Sequence, residues 1–307
     1  MATPLTGVAW RVAAALSLLG AACGPGGGRP DTSDGDGRPS ASTTTTTAAP
    51  ATGTRGTSGP SAPGTTGKRA QAPTTARGSD ATSAPNPTIR RTAVRAPGQF
   101  AGVLLAPGAA HTLVLDVRVQ PGASADGDTI GRTAELMRAQ SGKPVAIHGP
   151  TSLSDSAQTH DADAIRRLAD TQGEADGADV AVLHLFYLSG RFADDGVLGV
   201  AVRADTLAVF PDEIASATSP FVSAARIERA VVTHELGHVL GLVDLYLETN
   251  RDDAEHPGHS TNRGSVMYYA VESDLVAQLF GGPPPVDFDS SDLADLRAIR
   301  AGAAPQG

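Results

Sequence analysis

Residues 234–244 read His-Glu-Leu-Gly-His-Val-Leu-Gly-Leu-Val-Asp, and the rest of the chain is best understood outward from them. His234 and His238 are four residues apart, so on a helix both imidazoles leave the same face about one turn apart and can reach a single ion. Glu235 is turned aside from that face, where its carboxylate can hold a water. Gly241, three residues after His238, is placed to end the helix in a left-handed turn that swings the chain back beneath the ion.

The helix is expected to run from Pro220 to Leu240, with Ser219 as N-cap, Pro220 at the first helical position and Gly241 as terminator. Upstream, Leu113 to Val119 alternates Leu115, Val117 and Val119 with Asp116 and Arg118, the pattern of a half-exposed strand. Asp128 to Gln140 has helical spacing, with Gly142 just past its end, and Val145 to Ile147 is a short strand. Asp161 to Thr171 reads as a second helix, and Val180 to Leu188 as a strand covered on both faces. Gly199 to Phe210 supplies one or two further strands, one of them a candidate sheet edge. This β-α-β-α-β order predicts an α/β (α+β) fold, with a mixed but mostly parallel twisted sheet, the histidine-bearing helix and a C-terminal helix.

Beyond Gly241 the chain resembles the metzincins, with a matrixin or archaemetzincin-like cast. The stretch from His259 to Met267 and Tyr268-Tyr269 is similar to the segment that joins a metzincin's last histidine ligand to its methionine turn, and Val286 to Gly302 resembles the closing helix of matrixin-like domains, with Asp289 or Ser290 as cap. The resemblance covers roughly residues 221–302. It implies a zincin catalytic domain that binds Zn2+ and hydrolyses peptide bonds. In that reading His234 and His238 are metal ligands, Glu235 is the general base acting on a zinc-activated water, Met267 is an apolar floor and Tyr269 assists the oxyanion. A sheet edge near Ala201 to Phe210 could hold an extended peptide by strand addition.

The third ligand stays open. The family's usual spacing falls on Asp244, whereas the better local match is His259, which follows an insertion from Leu245 to Gly258; His256 is a further candidate. If His259 binds, Asp244 is left as an outer acceptor or a turn residue. A downstream glutamate such as Glu272 would serve in a gluzincin, but Gly241 and the methionine turn argue against that class. Ser260 and Ser265 stand where some relatives carry a cysteine pair, so loop order could depend on the metal. Asp252, Asp253 and Glu255 could bind calcium, but they lack a recognisable calcium-loop spacing and a solvated acidic turn is the favoured reading. His184 is expected to be a hydrogen-bonded core histidine, and His111, His148 and His160 ordinary loop or strand-end residues. No glycine-rich phosphate loop or nucleophilic serine elbow follows a strand in the required context.

The single cysteine, Cys23, excludes internal disulfides and cysteine-based zinc sites. Residues 1–23 read as an export signal, and Leu18-Leu19-Gly20-Ala21-Ala22-Cys23 resembles a lipoprotein box, which would make a membrane-anchored lipoprotein; free secretion is the alternative. Residues 24–97 are rich in Gly, Ser, Thr, Pro and Ala and cannot bury a core. As a flexible coil they would span about 50 Å r.m.s..

That leaves residues 98–307 as one catalytic domain. The stretch 24–97 carries nine basic and four acidic groups, whereas 98–307 carries 14 and 29. Such an acidic domain repels phosphate backbones and anionic head groups, so no nucleic-acid partner and no direct membrane docking are expected. A protein or peptide substrate and a monomer are. The competing reading from another class is a cell-surface binding protein that keeps zinc for folding alone, which the retention of Glu235 speaks against.

Overall fold

The computed structural model describes residues 95–306. The expected export signal and the linker as far as residue 94 lie outside the described residues. Attachment to the fold precedes Gly98 slightly: the Arg95 carbonyl accepts from the Ala204 amide at 3.0 Å, and the Arg95 guanidinium lies 4.8 Å from the Phe100 ring centre.

In chain order the elements are α1 (Ala101–Leu105), β1 (Thr112–Val119), α2 (Gly127–Ser141), β2 (Val145–Ser152), β3 (Thr159–His160), α3 (Ala162–Gln172), β4 (Val180–Tyr187), β5 (Arg191–Phe192), β6 (Gly199–Arg203), β7 (Thr206–Val209), α4 (Pro211–Ser216), α5 (Ala224–Val239), α6 (Val276–Leu279) and α7 (Ser290–Arg300). The fold is mixed α/β. Its five-stranded sheet has the order β2-β1-β4-β7-β6, with all neighbours parallel except β6, which runs antiparallel to β7 at the edge.

Period-two alternation divides the core between the two faces of the sheet. Leu113, Leu115 and Val117 of β1, Leu183 and Leu185 of β4, and Leu207 and Val209 of β7 join α1, α2, α5 and α7 in the larger cluster. Phe186, Leu188, Ala208 and Phe210 meet Ile165 and Ala169 of α3 on the other face. Local chemistry sets the helix ends. Asp126 and Asp161 cap α2 and α3 through side chains that accept from Thr129 and Ala164, and Asp289 and Asp292 form a reciprocal capping box on α7.

Two local expectations change. β1 lies between β2 and β4 and is covered on both faces rather than half-exposed, because its polar residues are neutralised inside. Asp116, 1% exposed, takes His184 Nδ1 at 2.9 Å, the Glu174 amide at 2.8 Å and Arg118 Nε at 2.7 Å. α5 begins at Ala224, not Pro220: the Ser223 side chain accepts from the Arg226 amide and is the actual cap, while Ser219 and Val222 close a separate turn that holds Pro220 and leaves Phe221 85% exposed.

Burial pushes the Asp116 carboxyl up, but the His184, Glu174 and Arg118 contacts outweigh it and hold the group below its ordinary value. A depressed carboxylate contributes stability that is present above its unfolded pKa of about 4 and is lost as the pH falls below that. Asp116→Asn is therefore expected to cost about 1.5–3 kcal/mol near neutrality. Chemical denaturation of both proteins should show this gap narrowing below about pH 4; a gap that stays constant down to pH 3 would assign the effect to shape rather than charge.

Candidate metal centre

The histidine helix ends as its sequence demands. Gly241 has φ of 84°, its amide donates to the His238 carbonyl at 3.1 Å, and the Leu242 amide donates to the Gly237 carbonyl at 3.0 Å, the paired bonds of a Schellman turn. A side chain at 241 would also strike Tyr246 and Ala101, so glycine is required twice over. Beyond this turn a long loop carries the chain back beneath the helix.

The loop brings His259 to the other two histidines. Ring centres of His234 and His259 are 5.1 Å apart and those of His238 and His259 are 5.0 Å apart. Nε2 of His234 and Nε2 of His238 face each other at 3.0 Å, a separation at which two imidazole edges share either a proton or a cation. His234 Nδ1 lies 2.7 Å from the Val266 carbonyl and His259 Nδ1 lies 3.2 Å from the His256 carbonyl. A carbonyl can only accept, so both Nδ1 atoms carry protons, and in the neutral rings both Nε2 atoms are left with lone pairs aimed inward. Burial, with His234 and His259 beside it, pushes His238 well below its ordinary pKa and favours the neutral, metal-binding form.

Glu272, at the end of a 3-10 turn spanning Tyr269–Glu272, completes the group. Its carboxylate oxygens lie 3.1 Å from His259 Nε2 and 3.7 Å from His234 Nε2. One donor atom from each of His234, His238, His259 and Glu272 falls within 4.8 Å of all the others. His259 Nε2 is buried without a well-aligned hydrogen bond even though Glu272 is so close. Two donors that aim at a common point rather than at each other have that geometry. Burial would lower the His259 pKa, but the Glu272 carboxylate lifts it above its ordinary value, and the histidines in turn overcome burial to hold Glu272 well below its own.

Three imidazole lone pairs and a carboxylate in a buried pocket form a donor set suited to zinc. His234, His238 and His259 would hold the ion, with Glu272 within reach of it.

Glu235 stands beside this group, 0% exposed, with neither oxygen in a well-aligned hydrogen bond. Burial pushes its carboxyl well above the usual carboxylate range, and Glu272 acts in the same direction; the nearby Ala201 backbone favours the charged form. Gly199 of β6 gives it room, since a Cβ there would come within 3.2 Å of Glu235 Cγ and would overlap Val231. Met267, 0% exposed, lies under the helix against Gly237, where any side chain would overlap its sulfur.

The other candidates have different places. Asp244, with φ of 58°, lies outside the histidine group; its carboxylate accepts from the amide and the hydroxyl of Thr249. His256 Nδ1 lies 3.2 Å from Asp253, and its ring stacks on Tyr269 with centres 3.6 Å apart. Tyr269 is thus engaged with the loop. The acidic residues brace that loop as well: Asp252 accepts from the Gly258 amide, and Asp253 accepts from the Glu255 amide at 2.9 Å. Buried Ser265 donates to Asp292 at 3.1 Å and Arg251 reaches Asp292 and Asp295, so hydrogen bonds and ion pairs to α7 tie the loop down. The nearness of Glu272 to the histidines was visible in sequence only as a glutamate downstream of the motif.

No family model and no curated protein matches this chain. Among solved structures it is similar to archaemetzincin from Archaeoglobus fulgidus complexed with malonate, at 15% identity, covering 60% of this chain and 99% of that one with a TM-score of 0.36. Archaemetzincin from Methanopyrus kandleri aligns at 21% identity over 63% of this chain and 97% of that one, with a TM-score of 0.38. A zinc-dependent peptidase from Methanocorpusculum labreanum aligns at 16% identity over 60% and 99%, with a TM-score of 0.35.

Proposed function

We propose that this protein is a zinc-dependent endopeptidase of the metzincin type. The observation that carries the reading is the convergence of three histidine Nε2 atoms beside a buried glutamate whose oxygens lack aligned partners. Zinc bound there supplies a Lewis acid and acidifies water at neutral pH. Glu235 takes the proton of the attacking water on its carboxylate and passes it to the departing amine. Edge strand β6, whose Ala201 backbone lies beside Glu235, is the strand along which an extended peptide would pair. Met267 shapes the floor of the site.

Residues 1–23, with Cys23 at the end of a lipoprotein-box-like run, support an exported protein anchored by lipid at the cell surface, with 24–97 as its stalk. The acidic domain supports a protein or peptide substrate rather than a nucleic acid, and a monomer fits the same reading. Zinc content and casein cleavage by the full chain test the activity. A single zinc per chain is expected, with cleavage that ceases on chelation and returns when zinc is restored.

One observation favours a second reading, a surface binding protein with a structural zinc: Glu272 would make a fourth protein donor, and closed four-ligand sites are typical of structural zinc. Zinc retention without cleavage of any member of a peptide library would favour it.

A further inference from the structure

We infer that Glu272 is an internal fourth ligand that competes for the open coordination position of the metal and so holds the site closed; the inference rests on the zinc reading above. Four donors about 2.0–2.2 Å from an ion, arranged as a tetrahedron, stand about 3.3–3.6 Å apart. Three of the six separations, 3.0 Å for His234 to His238, 3.1 Å for His259 to Glu272 and 3.7 Å for His234 to Glu272, bracket that range, and the other three lie within 4.8 Å. Lack of hydrogen-bond alignment between His259 and Glu272 is expected of neighbouring ligands.

Backbone pairing is a second, independent observation. The Leu198 amide donates to the Glu272 carbonyl at 2.9 Å, the Asp274 amide donates to the Gly196 carbonyl at 2.9 Å, and Val197 bridges Ser273 in antiparallel fashion. Residues 196–198 lead directly into β6, the strand beside Glu235. Glu272 is therefore aimed by a paired segment and not by a free side chain. Glu272 is the last residue of the 3-10 turn, so its side chain reaches the histidines from a short, tightly wound piece of backbone and not from the sheet itself.

The test uses the full chain loaded with Co2+ in place of zinc, titrated with acetohydroxamate and followed by the visible absorption of the metal. The wild-type spectrum is expected to resist the ligand. Glu272→Ala and Glu272→Gln should keep Co2+ on the three histidines and bind acetohydroxamate about tenfold more tightly or better, because a closed position lowers apparent affinity by the fraction of molecules that are open. A wild-type spectrum that responds at the same concentrations as the variants overturns the inference. Loss of Co2+ from both variants also overturns it, in favour of a structural four-ligand site. A wild-type chain that binds no metal removes the zinc reading itself, a failure distinguishable from the other two.

Discussion

Glu235→Ala is expected to lower kcat for peptide cleavage by about 10²–10⁴-fold, the usual contribution of a positioned general base, while zinc stays bound at its wild-type stoichiometry. The separation follows from the helix. Glu235 is one residue past His234 and so leaves α5 about 100° away from the histidine face. It points to Gly199 on β6, and its side chain makes none of the contacts that fix His234, whose proton goes to the Val266 carbonyl.

Stability should also separate from activity. A carboxylate that is fully buried with no aligned partner is a liability to the fold, so its removal is expected to leave Tm unchanged or higher. Metal analysis, steady-state kinetics and a melting curve on the same preparation test all three. If zinc is lost along with activity, Glu235 is supporting the ligands; if cleavage persists, some other group moves the proton.

The sequence was informative where local rules and tertiary structure agree. His234, Glu235, His238 and Gly241 sit on one helix and its exit turn, so their spacing alone specified a face, a neighbour and a stop, and each is found where that spacing puts it. The same holds for Asp289, which caps the helix it precedes. Legibility failed where a distant partner decides the outcome. Asp116 reads as an exposed polar residue because its neutralising partner, His184, is 68 positions away on the adjacent strand. Ser219-Pro220 carries a stronger helix-start signal than Ser223, yet the short turn at Ser219 to Val222 takes it. Glu272 is the extreme case. Nothing local distinguishes it from other acidic loop residues, and it reaches the histidines only because residues 272–274 pair with residues 196–198.

His259→Ala and Asp244→Ala should part company, and the difference names the third ligand. His259 is held from both sides: its carbonyl accepts from the Asp253 amide at 2.8 Å, the next amide donates to the Met267 carbonyl at 2.8 Å, and its Nδ1 is turned outward to His256. That arrangement leaves Nε2 no role except a metal or Glu272. Loss of even an outer partner of a zinc ligand typically costs 10–100-fold in affinity, so removal of the ligand itself is expected to cost more than about 100-fold.

At a zinc concentration 100 times the wild-type Kd, bound metal stabilises the fold by about 2.7 kcal/mol, most of which His259→Ala should forfeit. Without zinc, the two proteins should melt much closer together. Asp244→Ala is expected to behave in the opposite way. Its carboxylate is committed to Thr249 and its backbone is left-handed, so the loss is that of a local turn, about 1–2 kcal/mol with or without zinc, and metal affinity stays near wild type. Isothermal titration with zinc and paired melting curves decide it. If Asp244→Ala loses the metal and His259→Ala keeps it, the loop must rearrange on binding, because Asp244 would first have to release Thr249 and His259 would have to leave the position it shares with His234 and His238.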